Sequence, residues 1–242
     1  MLEVQNISKW FGGNPVLKNI DFSINKSEIV GLIGPNGAGK TTLFNVITGF
    51  YRSKTGHVKF KGKDISKMKP EDICLLGLCR TFQITKPFSN IPVLKNVMIG
   101  ALSREKSIKK ARKKADEVLQ FVGMWEKRSL LGKNLTIVDR KRLEIARGLA
   151  TSPELFFLDE VMAGLNPNEL KEVMQLIRNI IDSGVTLFII EHIMTVIMNL
   201  SHRVIVLDHG EMICGGSPEE VACDPDVIKA YLGEEYAAAQ SR

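Results

Sequence analysis

The sequence has 242 residues, of which 44% are hydrophobic and 25% are charged, a balance typical of a folded globular protein. Its net charge of +6 is only moderately basic, so charge alone does not indicate a nucleic-acid-binding protein. The chain shows no signal-peptide pattern and no apolar run of about 18 residues, so we expect a soluble protein that reaches a membrane only by docking onto another protein.

The cysteines do not indicate a metal site. There are four, Cys74, Cys79, Cys214 and Cys223, and their spacing matches no zinc pattern. We therefore expect reduced thiols without a ligand-binding role.

The N-terminal part of the chain predicts strands and one loop–helix junction. Ile20, Phe22 and Ile24 alternate with polar residues, as in a half-buried strand. The continuous apolar run 29–33 is typical of a parallel strand that is buried on both faces. A glycine-rich loop follows, and a helix is predicted from about Lys40 to Thr48, ended by Gly49.

Residues from about 90 to 150 are predicted to be mostly helical. Apolar residues recur at helical spacing at Ile108, Ala111, Ala115, Val118, Leu119 and Val122. Basic residues fill most of the opposite face, namely Lys109, Lys110, Arg112, Lys113 and Lys114. This pattern indicates a solvated surface or, alternatively, a contact with a membrane or a partner.

The C-terminal part alternates predicted strands and helices. Buried strands are predicted at 155–158, 185–190 and 203–207. Asn166 and Pro167 are typical of a helix start, and Gly184 of its end. Ser217 to Glu220 has the pattern of a second helix start, a capping box. Strands that alternate with helices predict a parallel α/β core.

The strongest chemical motif lies between the strand 29–33 and the helix after it. It fits the phosphate-binding pattern G-x-x-x-x-G-K-[ST], in which main-chain N–H groups and a helix N-terminus surround phosphate oxygens. We expect ATP to bind here, with Lys40 reaching the β- and γ-phosphates and Thr41 ligating Mg²⁺. The predicted nucleotide-binding residues are Gly34, Pro35, Asn36, Gly37, Ala38, Gly39, Lys40, Thr41 and Thr42.

An acidic pair, Asp159 and Glu160, ends the predicted strand 155–158. A strand-terminal aspartate can hold Mg²⁺ through water, and the adjacent glutamate can orient or polarise the attacking water. The alternative is a helix cap beside a surface acid. The phosphate-binding loop upstream favours the catalytic interpretation.

Two further polar residues are weaker candidates. His192 follows the predicted strand 185–190, and the carboxyl ends of parallel strands face the ligand crevice. It is a candidate to contact the γ-phosphate and to stabilise charge in the transition state. Gln83, in the segment Arg80-Thr-Phe-Gln83, is a polar residue among apolar ones and is weak evidence by itself.

Together these motifs resemble the nucleotide-binding domain of ABC transporters along nearly the whole chain. The resemblance implies one domain over residues 1–242 with an α/β fold of the P-loop NTPase type. Its parts are a RecA-like parallel sheet core, an N-terminal antiparallel β subdomain and a helical subdomain at about 85–150. It also implies that Phe11 stacks on adenine, with Trp10 as the alternative, and that Gln83 links the Mg²⁺ site to the transmembrane partner. Glu160 then becomes the catalytic carboxylate, His192 the switch residue, and Thr41, Gln83 and Asp159 the magnesium-binding set.

More narrowly, the sequence resembles the ATPases of branched-chain amino acid importers. The matching segments are Phe11-Gly-Gly, Arg80-Thr-Phe-Gln83, Arg142-Leu-Glu-Ile-Ala-Arg147 and Ala163-Gly-Leu-Asn166-Pro167. The lipopolysaccharide-export ATPases share much of this pattern. The implied function is the hydrolysis of ATP at the inner face of the membrane, coupled to import through permease subunits.

One segment departs from the family pattern. The family signature is Leu-Ser-Gly-Gly-Gln, which in this family caps the ATP of the partner ATPase. This chain has Leu135, Thr136, Ile137, Val138 and Asp139 at the matching positions. Thr136 keeps a hydroxyl group, whereas side chains replace both glycines. Asp139 places a carboxylate near a polyanion unless it caps the following helix instead. We therefore expect a different ATPase subunit with a complete signature as partner.

Other functions remain open at this stage. Export of lipid or lipopolysaccharide keeps the ATPase and changes the cargo. A soluble ABC ATPase that handles nucleic acid is disfavoured by the short interval between Lys40 and Thr136 and by the presence of one ATPase unit. A regulatory subunit without turnover is disfavoured by Glu160 and His192.

Overall fold

The computed structural model describes residues 1–82 and 87–232. In chain order its strands and helices are β1 Leu2–Phe11, β2 Asn14–Ile24, β3 Ile29–Ile33, α1 Lys40–Ile47, β4 Thr55–Phe60, β5 Lys63–Asp64, α2 Pro70–Leu76, β6 Leu78–Arg80, α3 Val93–Ala101, α4 Ile108–Phe121, α5 Ile137–Leu149, β7 Leu155–Asp159, α6 Pro167–Asp182, β8 Thr186–Ile190, α7 Met194–Leu200, β9 Arg203–Asp208, β10 Glu211–Gly216, α8 Pro218–Ala222 and α9 Pro225–Leu232. Short 3₁₀ helices lie at Trp125–Lys127 and Gly132–Asn134. The chain divides into two compact units, one of residues 1–70 with those from Thr186 onward, the other of residues 71–185.

The first unit contains an antiparallel sheet in the order β2-β1-β4-β5. Strand β1 pairs with β2 on one side and with β4 on the other, and Leu2 lies opposite both Ile24 and Phe60. All three of these side chains are buried. The alternation of apolar and polar residues in the sequence therefore gives this sheet one buried face.

The same unit contains a parallel arrangement with β3 at its centre. Strand β3 pairs in parallel with β8 and with β9, and β10 adds to β9 in the antiparallel direction. All five residues of β3 and of β8 are buried, as expected for strands covered on both faces. The ring of Phe188 on β8 lies 4.9 Å from that of Phe44 on α1 and 5.5 Å from that of Phe22 on β2.

The second unit contains one parallel strand pair and most of the helices. Strand β6 pairs with β7, with Arg80 opposite Phe157. Helix α5 packs directly on β7, because a Cβ atom at Gly148 would lie 2.3 Å from the Phe156 ring. Helix α4 buries Ala111, Ala115, Val118 and Leu119, whereas its basic residues are exposed apart from the half-buried Lys114.

The predicted fold class is confirmed. The parallel strands, the antiparallel sheet and the helices at 93–149 all occur. Asn166 caps α6 and a capping box at Ser217 begins α8, as predicted. The cap at Asn166 is also a capping box, completed by Glu169. The sequence did not indicate α2 or β6. The expected place of Ile108 on the apolar face of α4 is wrong: this residue opens the helix and is 72% exposed.

Among residues 1–82 and 87–232, no helix combines the length and the apolar character that a bilayer crossing requires.

Candidate functional site: a phosphate-binding loop and an acidic strand end

The phosphate-binding loop joins β3 to α1 in a conformation that requires glycine. Gly34 has φ 150° and Gly39 has φ 104°, both in the region that side chains disfavour. A Cβ at Gly34 would lie 2.0 Å from the Leu207 carbonyl oxygen, and one at Gly39 would lie 2.9 Å from that of Val16. The start of β2, at Val16, and the end of β9, at Leu207, therefore enclose the loop from outside.

Lys40 is the first residue of α1 and is buried. Its Nζ donates hydrogen bonds to the carbonyl oxygens of Gly34 at 2.6 Å and Pro35 at 2.9 Å. The side chain thus folds back along the loop rather than extending into solvent. No side chain caps the start of α1, whose N-cap is Gly39, and its first turn contains no acidic residue. The helix start therefore presents N–H groups and a cation, which suits an anion.

His192 lies on the same unit as the loop. Because β3 and β8 are parallel and Leu32 is opposite Ile190, Gly34 and His192 each follow neighbouring strands at the same sheet edge. The imidazole is exposed, whereas the adjacent Glu191 is only 2% exposed. This position is the one predicted for His192, and its role toward nucleotide stays a prediction.

The candidate adenine-stacking residue is at the end of β1. Phe11 is 44% exposed and meets the Tyr51 ring edge-on at 5.2 Å between centroids. The Lys9 ammonium lies 5.0 Å from the centroid of Phe11. Trp10, the alternative, is half-buried under the Lys54 ammonium at 4.9 Å. The exposed ring of Phe11 is the more accessible of the two.

The second unit contains the predicted acidic pair. Asp159 ends β7, is 1% exposed and accepts a hydrogen bond from Arg80 Nη2 through its Oδ2 at 2.9 Å. Its main-chain N–H donates to Thr81 Oγ1 at 2.9 Å. Burial raises the pKa of Asp159 to about 6, although the Arg80 guanidinium acts in the opposite direction.

Glu160 stands in a less common backbone conformation. Its φ is 52°, in the left-handed region, directly after the strand ends. Lys141 Nζ on α5 donates to its carbonyl oxygen at 3.1 Å. Non-glycine residues in this conformation store strain that the surroundings must support, and they concentrate at functional sites.

The segment 135–139 forms the start of α5. Thr136 is the N-cap, and its hydroxyl accepts a hydrogen bond from the Asp139 N–H at 3.2 Å. Asp139 is 7% exposed, and its Oδ1 pairs with Lys127 Nζ at 2.6 Å. Thr136 therefore caps the helix, and the Asp139 carboxylate is neutralised within its own unit. Ile137 is 65% exposed, while Val138 is half-buried and Leu135 is buried.

The remaining predicted residues fall in two groups. Gln83 lies outside the described residues. The other loop residues lie where expected: Pro35, Asn36 and Gly37 before α1, Ala38 buried, and Thr41 and Thr42 half-buried in its first turn.

Sequence reasoning missed several residues around these motifs. Arg80 and Lys141 contact Asp159 and Glu160 from distant positions in the chain. Tyr231 on α9 is hydrogen-bonded to the main chain of Gly34, and burial raises its pKa. No local pattern marks these pairs, since each joins residues far apart in sequence.

Cys74 and Cys79, two of the four free cysteines, are hydrogen-bonded to each other in the second unit. The pKa of Cys74 is lowered to about 6, first by a hydrogen bond with Cys79 and then by Thr151 and the Arg104 charge. No group of three or more metal-binding side chains occurs within the described ranges, the four cysteines included.

Comparisons of the chain with family models and with known proteins all indicate the same family. Residues 17–163 match the family described as ABC transporter, and residues 211–237 match the one described as branched-chain amino acid ATP-binding cassette transporter. The high-affinity branched-chain amino acid transport ATP-binding protein LivG of Escherichia coli is 36% identical, over 97% of this chain and 98% of that protein. The probable protein of that name from Methanocaldococcus jannaschii is 34% identical, over 97% and 98%.

A solved structure is similar along nearly the whole chain as well. The crystal structure of the ADP conformation of an ATP-binding cassette of an ABC transporter is 31% identical, covers 97% of this chain and 99% of its own, and has a TM-score of 0.88. Together with the glycine-dependent loop before α1 and the acidic end of β7, these matches show that the chain belongs to the ABC transporter family, among the ATP-binding cassettes related to branched-chain amino acid transport.

Proposed function

We propose that this protein is the ATPase of an importer for branched-chain or related amino acids. The observation that carries the proposal is the complete phosphate-binding loop in a chain that matches amino acid transport ATP-binding proteins over almost all of its length. The protein then works at the inner face of the membrane, attached to permease subunits. No nucleic acid takes part.

Nucleotide binding is assigned to the first unit. The main-chain N–H groups from Gly37 to Thr41 and the Lys40 ammonium bind the phosphates. Gly34 and Pro35 keep Lys40 directed along the loop through their carbonyl oxygens. The adenine base stacks on the exposed ring of Phe11.

Magnesium fits the residues present. Asp159 Oδ1 is buried and has no hydrogen-bond partner, although Arg80 holds the other oxygen of the same carboxylate. A buried carboxylate oxygen without a partner is costly unless a cation or a water meets it. By family resemblance, Thr41, Gln83 and Asp159 would hold Mg²⁺, which supplies charge neutralisation at the phosphates.

Hydrolysis is assigned to Glu160 and His192. The Glu160 carboxylate orients and polarises the water that attacks the γ-phosphorus, and ADP leaves with the electron pair of the broken P–O bond. His192 stabilises the negative charge that develops on the transferred phosphoryl oxygens. The left-handed backbone conformation of Glu160, which the hydrogen bond from Lys141 supports, sets the direction in which the Glu160 side chain leaves the main chain.

The partner of this ATPase is proposed to be a different chain. Ile137 projects from the start of α5, where the family has a glycine that lets the main chain approach the partner's ATP. The nucleotide on this chain then meets the complete signature of the partner, and the partner's nucleotide meets segment 135–139. The two ATP sites of the pair are therefore unequal.

The proposal is tested by the ATPase rate of the purified chain as a function of its concentration, with and without Mg²⁺. We expect tight ATP binding and a low rate per chain at every concentration, and a large increase when an ATPase with a complete signature is added. A rate per chain that rises with concentration would show self-pairing and contradict the unequal partners.

Transport is tested separately in proteoliposomes that contain the permease subunits and the binding protein. Leucine uptake that depends on ATP and is abolished by Glu160→Gln supports the proposal. Uptake that continues without hydrolysis, or ATPase activity that responds only to lipid cargo, would contradict it.

A further inference from the structure

Helix α5 begins at the segment 135–139, and one buried carboxylate on it contacts the main chain directly before Gln83. We propose that Glu144 is a positioning residue, which holds the backbone at Phe82 in place for the reaction at Asp159 and Glu160. This inference rests on the proposed ATPase function and deepens it.

The central contact is a hydrogen bond from a main-chain amide to a buried acid. The N–H of Phe82 donates to Glu144 Oε1 at 2.5 Å. Glu144 is 9% exposed, and the charges of Arg80 and Arg147 lie within its electrostatic range. A charged acceptor in a buried site makes a stronger hydrogen bond than a neutral one, so this contact is well suited to fix a backbone position.

The same stretch of backbone is tied to the acidic strand end. Arg80, whose side chain is 6% exposed, donates to Asp159 Oδ2 at 2.9 Å and to the Thr81 carbonyl oxygen at 2.9 Å. Thr81 donates its N–H to the Phe157 carbonyl oxygen at 2.8 Å. The guanidinium of Arg80 also lies 4.9 Å from the ring centroid of Phe82. Residues 80–82 thus form a continuous set of contacts, from Glu144 at Phe82 to Asp159 at Arg80.

The other side of residues 83–86 is held by the same helix. Arg147 lies three residues after Glu144, on the same face of α5, and its guanidinium is 4.9 Å from the ring centroid of Phe88. Buried Asn96 accepts from the Phe88 N–H at 2.8 Å and donates to the Phe88 carbonyl oxygen at 3.1 Å. Helix α5 therefore contacts the chain before and after this segment.

The consequence is a mechanical one. A displacement at the start of α5 moves Glu144 with it, because the helix is a rigid element. Through its hydrogen bond with Glu144, the main chain at Phe82 moves with the helix. Arg80, two residues earlier, then moves relative to the Asp159 carboxylate that it contacts. Without the Glu144 carboxylate, the nucleotide still binds to the loop of the first unit, but Asp159 and Glu160 are less well placed for hydrolysis.

The test compares three variants of the full chain together with its ATPase partner. Glu144→Ala removes the acceptor, whereas Glu144→Gln keeps an acceptor oxygen in nearly the same shape. Glu172→Ala is the matched control, since Glu172 is an exposed glutamate that pairs with Arg142 in the same unit. Hydrogen–deuterium exchange at the Phe82 amide and the kcat and KM for ATP are measured in each.

For Glu144→Ala we expect the Phe82 amide to exchange about five- to tenfold faster, as befits the loss of one hydrogen bond. We expect kcat to fall about 10- to 100-fold with KM nearly unchanged, because misplaced catalytic groups slow the chemical step rather than binding. Glu144→Gln should restore most of both quantities, and Glu172→Ala should change neither. If the alanine variant does not fold, Glu144→Asp provides the same comparison with a shortened acceptor.

Unchanged exchange at Phe82 in the alanine or aspartate variant would overturn the inference, and so would a loss of kcat that glutamine does not rescue. The exchange measurement needs no turnover. An unmodified protein that shows no ATPase activity together with its ATPase partner would therefore contradict the proposed function, while exchange at Phe82 would still decide the role of Glu144.

Discussion

The N-termini of helices α1 and α5 use their free main-chain N–H groups in opposite ways. At α1 the N-cap is Gly39, no side chain caps the helix, and the first residue is the cation Lys40. At α5 the N-cap is Thr136, which caps the Asp139 N–H with its hydroxyl, and the first turn carries the carboxylate of Asp139. Helix N-termini attract anions through free N–H groups and the helix dipole. The first start leaves this attraction available, whereas the second uses it internally.

The difference shows that a helix N-terminus is not by itself a phosphate site. The glycines before α1 bring the main chain close to a ligand at the expense of unusual φ values. At α5 the exposed side chain of Ile137 stands where the family has a glycine, so we expect the main chain to approach a ligand less closely there. Each of the following predictions tests one part of this contrast.

The largest effect is expected from Lys40→Ala. The substitution removes the cation at the open helix start, so we expect ATP hydrolysis to fall about 10²- to 10³-fold, with weaker ATP binding. Equilibrium binding of a fluorescent ATP analogue and steady-state rates measure both effects. Lys54→Ala is the control, because Lys54 covers Trp10 and is not part of the loop. Equal ATP affinity in Lys40→Ala and the unmodified chain would remove the basis of the contrast.

A smaller gain is expected when the second start is opened. Replacing Ile137 and Val138 by glycine restores the family pattern and should raise hydrolysis by the pair of ATPases about tenfold, which corresponds to about 1.4 kcal/mol. The same change should lower the stability of α5, at roughly 1 kcal/mol per glycine. ATPase assays and thermal unfolding separate the two effects. If the repaired pair hydrolyses ATP no faster and closes no more tightly, the proposal that the two ATP sites are unequal is wrong.

Loss of the cap at the second start should lower the stability of the protein. We expect Thr136→Ala to lower the free energy of unfolding by about 1 kcal/mol and Tm by about 2–4 °C, because the Asp139 N–H loses its acceptor. Thr136→Ser keeps the hydroxyl and should remain close to the unmodified protein. Calorimetry checks both, and an alanine variant of unchanged Tm would show that water replaces the cap without loss.

The smallest effect is expected from the pair of Lys127 and Asp139. Lys127 is 45% exposed in its side chain, so solvent screens the interaction. We expect Lys127→Met to cost about 0.5 kcal/mol at low salt and less at high salt. A double-mutant cycle with Asp139→Asn measures the coupling. A coupling energy between Lys127 and Asp139 that does not change with ionic strength would contradict the prediction that solvent screens this ion pair.

Local chemistry explains which parts could be predicted. The phosphate-binding loop is contiguous in sequence and acts mainly through its main chain, so its pattern is visible without the fold. The caps at Asn166 and Ser217 are equally local, since each side chain bonds residues two or three positions later. Strand and helix positions followed from apolar periodicity, apart from short elements such as β6, whose three residues are too few for a period.

The tertiary structure decided the contacts between distant residues. Arg80 reaches Asp159 because β6 pairs with β7, and Glu144 reaches Phe82 because of where α5 packs. The structure also showed that Thr136 caps α5 and that Lys127 neutralises Asp139, a choice that the sequence left open. The physical reason is the same in each case. A motif determines chemistry when its atoms are neighbours in the chain, whereas an ion pair or a buried hydrogen bond exists only where folding places two separate segments within about 3 Å.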